Sequence, residues 1–227
     1  MDELLWCAGW LYRATGKEEY LAKVDEFWTG LDGGEVSWDD KNAVASILLA
    51  LVTGEQRYVS KAAAFCDMMA DTQQKTPQGM VWIQPWGPLR HAANVAFACL
   101  AASNIDDPSI NKEKYIQFSV NQMHYALGDT GRSYVVGFGN NPPQRPHHRP
   151  SSCPVDPNEE CNWDDFSQPG PNPSTLWGAL VGGPDQSDVY IDDRGDYSHT
   201  EVACDYNAGF QSALAGLRQL AFEGRLP

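Results

Sequence analysis

Positive charge is scarce in this chain, and so are long apolar runs. Of 227 residues only 16 are Lys or Arg, against 30 Asp or Glu, which leaves a formal charge of −14 with histidine neutral. Such a surface repels nucleic acid and anionic lipid, so neither is an expected partner. No stretch approaches the ~18 uninterrupted apolar residues that a membrane-crossing helix needs. A signal peptide is also missing from the first residues. Met1 is followed by Asp2-Glu3-Leu4-Leu5-Trp6, with no basic start and no small-residue cleavage site. The helical pattern begins almost at once, without a capping lead-in, as in a chain cut from a longer one. What is present is 42% hydrophobic and 11% aromatic, enough for a packed core, which excludes wholesale disorder. The length suits one domain or part of a larger one, and the charge suits a neutral substrate or a cation.

The first 130 residues read as helices. Leu4, Leu5, Ala8, Leu11 and Tyr12 keep helical spacing and stop at Thr15-Gly16, where glycine is the usual residue just past a helix end. Further helices are predicted over about 18–28, 39–53, 55–70, 89–102, 112–127 and 201–222. Thr15-Gly16, Tyr20 and Lys23 recur as Thr53-Gly54, Tyr58 and Lys61, each 38 residues on. A period of that size points to stacked helical hairpins, in an open solenoid or a closed α/α toroid.

The pattern changes after residue 128. Residues 141–185 hold ten of the 15 prolines and little periodicity, and structureless stretches of that length are usually functional in compact domains. Trp163, Phe166 and Trp177 lie within it, where a plain linker needs none. Cys153 and Cys161 lie eight apart in this loop and suit a local disulfide, which implies secretion. Zinc is the alternative, but no second Cys or His pair has metal spacing. Cys7, Cys66, Cys99 and Cys204 are expected as buried thiols that do not pair.

Three constellations could carry chemistry. Residues 190–201 pack Asp192, Asp193, Asp196 and Glu201 among tyrosines; crowded carboxyls beside apolar rings are how one of them stays protonated and serves as a general acid. A solvated loop or a calcium loop are the alternatives, and Arg194 breaks EF-hand spacing. In the run Pro146-His147-His148-Arg149, extended backbone would turn His147 and Arg149 the same way, a donor pair for sugar hydroxyls. In Trp86-Gly87-Pro88-Leu89-Arg90, a tryptophan face suits a pyranose ring, although a core position is the commoner fate.

Two long motifs resemble the catalytic domain of glycoside hydrolase family 9. One runs from Ser133-Tyr134-Val135-Val136-Gly137-Phe138-Gly139 to Pro146-His147-His148-Arg149. The other is Tyr190-x-Asp192 with Tyr197, Glu201, Ala203, Asn207 and Ala208. Asp2-Glu3-Leu4, Ser37-Trp38-Asp39-Asp40-Lys41, Trp86 through Arg90 and Gly178 through Asp185 are also similar, and the Pro-rich loop looks nearest to invertebrate members such as termite cellulases. The resemblance implies an all-α fold, part of an (α/α)6 toroid, and inverting hydrolysis of β-1,4-glucans. It implies Glu201 as general acid, with Asp192 and His147 in the catalytic group. Arg149, Trp86, Arg90 and Tyr206 would bind the glucan, and Asp2, Glu3 and Asp39 would hold a structural calcium ion. Asp-Ala-Gly-Asp, the motif that carries the family's catalytic base, does not occur in these 227 residues. The expectation is therefore a single partial catalytic domain over 1–227, the family's C-terminal half, secreted, monomeric and inactive alone. The competing expectation is a helical-repeat interaction protein or a carbohydrate binder without turnover.

Overall fold

The computed structural model describes residues 1–226. Its elements are α1 (Asp2–Thr15), α2 (Glu18–Phe27), α3 (Asn42–Thr53), α4 (Gln56–Asp67) with a π-helical turn at Met68–Thr72, α5 (Pro88–Ala102), α6 (Lys112–Leu127), the short α7 (Arg149–Ser152), α8 (Trp163–Ser167) and α9 (Tyr197–Thr200), and α10 (Cys204–Phe222). Strand pairing is limited, among the described residues, to isolated bridges. None of the described helices is long and apolar enough to cross a membrane. The described residues form two compact units, one of residues 1–73, 94–119 and 215–226, the other of 74–93 and 120–214.

In the first unit the 38-residue repeat is a repeat of structure. Gly16 and Gly54 each end a helix in the left-handed conformation, at φ 65° and 66°, which glycine adopts without strain. Before each glycine a threonine hydroxyl donates back to the helix, Thr15 to Leu11 O and Thr53 to Leu49 O, both at 2.7 Å. α1 packs on α2, α3 on α4, and α1 on α3. Leu5, Val24, Leu49 and Tyr58 are buried between them, each worth ~1.5–3 kcal/mol of transfer free energy. α3 starts at Asn42 rather than 39, because Ser37 and Asp40 side chains hold 39–42 as a turn: Ser37 Oγ accepts the Asp39 N–H, and Asp40 Oδ1 the Asn42 N–H. Side chains of this type compete with helix backbone.

Two cysteine expectations need correction. Cys66 and Cys99 are buried, but Cys7 and Cys204 are exposed. α1 buries Leu5, Ala8 and Gly9, and Cys7 points away from that face. Cys204 opens α10 ahead of its first buried side chain, Tyr206.

Burial pushes the Tyr58 phenol from 10.0 up to about 12, and raises Tyr115, Tyr125, Tyr190 and Tyr206 as well. A folded pKa above the unfolded one means that the neutral phenol stabilises the fold fully below pH ~10, and that this is lost as pH climbs towards 12. The melting temperature is therefore expected to fall steeply between those values, with tyrosinate absorbance rising in step. Tyrosinate appearing well before unfolding would contradict this.

Candidate active site

The second unit gathers most of the residues singled out from the sequence. Gly87 at φ 64° turns the chain between Trp86 and α5; a Cβ there would sit 2.8 Å from the Tyr206 hydroxyl oxygen, so only glycine allows this approach. Trp86 and Tyr206 converge on one carboxylate oxygen. The Trp86 indole N–H and the Tyr206 O–H each donate to Glu201 Oε2 at 2.8 Å. Burial, and then the Glu201 bond, push the Tyr206 phenol up, so it remains a donor. Arg90 lies with its guanidinium carbon 5.0 Å from the Tyr206 ring centre and donates to Asp205 at 3.3 Å. Trp86 is 48% exposed and meets Tyr197 at 5.0 Å between ring centres, so one indole face is open to a ligand.

Glu201 itself is not helical, contrary to the predicted helix over 201–222. Its backbone bridges that of His147, which donates to Thr200 O at 2.8 Å, while Glu201 O accepts the Gly182 N–H at 3.0 Å. α10 begins only at Cys204, since Glu201 gives its backbone to this pairing instead. The bridge brings His147 and Glu201 together from 54 residues apart in sequence.

Asp192 stands differently from its neighbours. Its Oδ2 accepts the Gln144 N–H at 2.8 Å and its Oδ1 the Arg145 N–H at 3.1 Å. Both oxygens hold the loop that leads to His147. His147 Nδ1 is 2.7 Å from Arg194 O, so Nδ1 carries the proton and Nε2 is the nitrogen left for a ligand. The backbone does not stay extended through Arg149, because the His148 ring accepts the Ser151 N–H and caps α7, which Arg149 opens; His147 and Arg149 nevertheless both meet α8, at Phe166 and Trp163. The Arg149 guanidinium lies 4.6 Å from the Trp163 ring centre, and its Nε is buried without a partner. A groove of about 750 Å³ in this unit passes His148, Trp177, Cys204 and Asn207 rather than Glu201.

The family model for glycosyl hydrolase family 9 matches residues 1–214. The chain belongs to glycosyl hydrolase family 9. It is similar to endoglucanase B of Cellulomonas fimi, 43% identical over 95% of this chain and 22% of that protein, and to endoglucanase A of Bacillus pumilus, 38% identical over 99% and 36%. Among solved structures it resembles the endoglucanase of the termite Nasutitermes takasagoensis, with a TM-score of 0.92 and 51% identity over 97% of this chain and 51% of that one. It also resembles the endoglucanase CelQ of Clostridium thermocellum complexed with cellotriose, with a TM-score of 0.86 and 40% identity over 100% and 39%. The chain thus spans from about a fifth to about half of the length of these relatives, and its fold class is all-α, part of the (α/α)6 barrel of its family neighbours.

Against this family background two further observations stand out. The Cys153–Cys161 disulfide is formed, with Cα atoms 5.1 Å apart. The calcium residues do not fit a cation as they are arranged. Lys41 Nζ lies 2.6 Å from Glu3 Oε1 and also donates to the Trp38 carbonyl, while Asp2 Oδ2 accepts the Lys41 N–H at 2.9 Å. An ammonium therefore takes the charge that calcium would supply. Asp39 makes no cluster with them; among the described residues no group of three acidic, His or Cys side chains could hold a metal.

Sequence reasoning passed over Arg194, Asn172 and Asp188. Asp188 adopts φ 64° and accepts from the Tyr125 hydroxyl at 2.6 Å and the Gln78 N–H at 2.8 Å, which ties down the turn before Tyr190. An aspartate in a Pro- and Gly-rich stretch is the only hint the sequence offers.

Proposed function

We propose that this chain carries the general-acid side of a site that cleaves internal bonds of β-1,4-glucans. The convergence of Trp86 and Tyr206 on a single oxygen of Glu201 supports this most directly. It fixes the carboxyl at the edge of an exposed indole, where a sugar ring stacked on Trp86 would bring its glycosidic oxygen to the other carboxyl oxygen. Glu201 would protonate the leaving oxygen. His147, through Nε2, and Arg149 would hold hydroxyls of the flanking sugar, while Arg90 would brace Tyr206 from behind. Asp192 would act as a positioning residue, since its oxygens hold backbone. The inverting course would also need a second carboxylate ~6.5–9.5 Å across the bond to activate water. The cellotriose complex of CelQ supports a β-glucan ligand, and the disulfide supports a secreted protein. Calcium enters no step of this reading.

The test is binding. Cellotetraose is expected to quench tryptophan fluorescence of the chain, and Trp86→Ala to weaken that affinity ~tenfold or more, about 1.4 kcal/mol. Saturable binding that ignores Trp86 would overturn the placement of the glucan.

A further inference from the structure

We infer that Arg194 is a positioning residue for His147 and Arg149, acting through the loop segment 163–172 that its guanidinium holds. The inference rests on the glucan-cleaving reading above. Arg194 is 2% exposed, and its guanidinium is met only by neutral acceptors in four bonds. It donates to Phe166 O and Gln168 O at 2.7 Å, to Gly170 O at 2.8 Å and to Asn172 Oδ1 at 2.6 Å. Burying a cation is costly; Asp192 and Asp193 offset part of that cost through space, without a direct bond, and the fork geometry of arginine suits a curved row of carbonyls.

What the row carries gives the arrangement its purpose. Phe166 packs edge-on to the His147 ring, with centres 5.6 Å apart at 86°. Trp163 lies under the Arg149 guanidinium. Asn172, held by Arg194, donates to Pro146 O at 3.1 Å and to Ser151 Oγ at 2.6 Å, on either side of the two donors. The Arg194 carbonyl itself accepts from His147 Nδ1. One residue thus fixes the ring plane and tautomer of His147 from two directions and supports the base of Arg149. The Cys153–Cys161 disulfide ties the end of α7 to the start of α8, and the bonds of Arg194 to Phe166, Gln168, Gly170 and Asn172 are a separate hold on the segment beyond it.

The experiment compares Arg194→Lys, Arg194→Met, Phe166→Ala and a Cys153→Ser/Cys161→Ser pair in the 227-residue chain. It reads His147 ring nitrogens by NMR, cellotetraose affinity and helical circular dichroism. Arg194→Lys keeps the charge but offers three donors to four acceptors. It is expected to keep the helical signal, mix the His147 tautomers and lower affinity ~tenfold. Arg194→Met should do more, and Phe166→Ala, which leaves Arg194 in place, should reproduce the His147 change. The cysteine pair should leave His147 as it is. If His147 kept one Nδ1-protonated tautomer in Arg194→Lys and Phe166→Ala, or if opening the disulfide disturbed it equally, the inference would fall. If the His147 changes appeared in a chain that bound no cellotetraose, the positioning would stand and the glucan reading would fail.

Discussion

In a complete domain, Glu201→Gln is expected to lower hydrolysis of carboxymethylcellulose by ~10²–10⁴-fold, the usual worth of a positioned acid or base. Binding should barely change. The reason lies in how Glu201 is held: both Trp86 and Tyr206 donate to the same oxygen, Oε2, and a glutamine carbonyl in that place accepts from both. The other oxygen becomes an amide nitrogen, which cannot yield a proton to a leaving alkoxide. Loss of turnover with cellotetraose affinity kept within about twofold separates proton donation from scaffolding. The same substitution in a protein that only binds glucan would change nothing measurable. Reducing-sugar release and calorimetric binding on matched samples decide the matter; substantial hydrolysis by the glutamine variant would remove Glu201 from the mechanism.

The helical half of this fold is legible in the sequence because apolar spacing and Thr-Gly stops are local signals. Errors arise where side chains capture backbone. Ser37 and Asp40 hold a turn where periodicity continues a helix, and Glu201 gives its backbone to a bridge with His147. Trp86, Tyr206 and Glu201 could be grouped from motif resemblance, but their convergence on one oxygen depends on a left-handed Gly87, whose need is set by Tyr206, far away in sequence. Asp192 shows the limit most clearly. Its place in an acidic run suggests chemistry, whereas its bonds go to the amides of Gln144 and Arg145, 48 and 47 positions away. The bonding role of Arg194 is not legible for the same reason: its partners are mostly main-chain carbonyls, which leave no mark on composition or spacing.

Expressed by itself, the 227-residue chain is expected to release almost no sugar, although it carries Glu201, the proposed acid. An attacking water needs a base on the far side of the bond, and the carboxylates near Glu201 are engaged elsewhere. Asp192 holds two amides, Asp193 Oδ1 accepts the Gly195 N–H at 2.9 Å, and Asp196 Oδ2 pairs with His199 at 2.8 Å. Lacking a positioned base costs ~10²–10⁴-fold. Solubility adds to the loss, because Leu4, Trp10 and Leu11 of α1 stand 49%, 43% and 39% exposed and Trp177 of the long loop 77%, surface that favours self-association. Supplying the N-terminal half of a family member that carries Asp-Ala-Gly-Asp, in one polypeptide with this chain, should restore hydrolysis and reduce light scattering together. Asp→Ala changes in that motif should then remove the activity and keep the solubility. If the lone chain cleaved carboxymethylcellulose at the rate of the joined protein, the base would have to lie within these residues. Asp192 would be the first to test, since a carboxylate that lets go of Gln144 and Arg145 would free both the base and the loop beside His147.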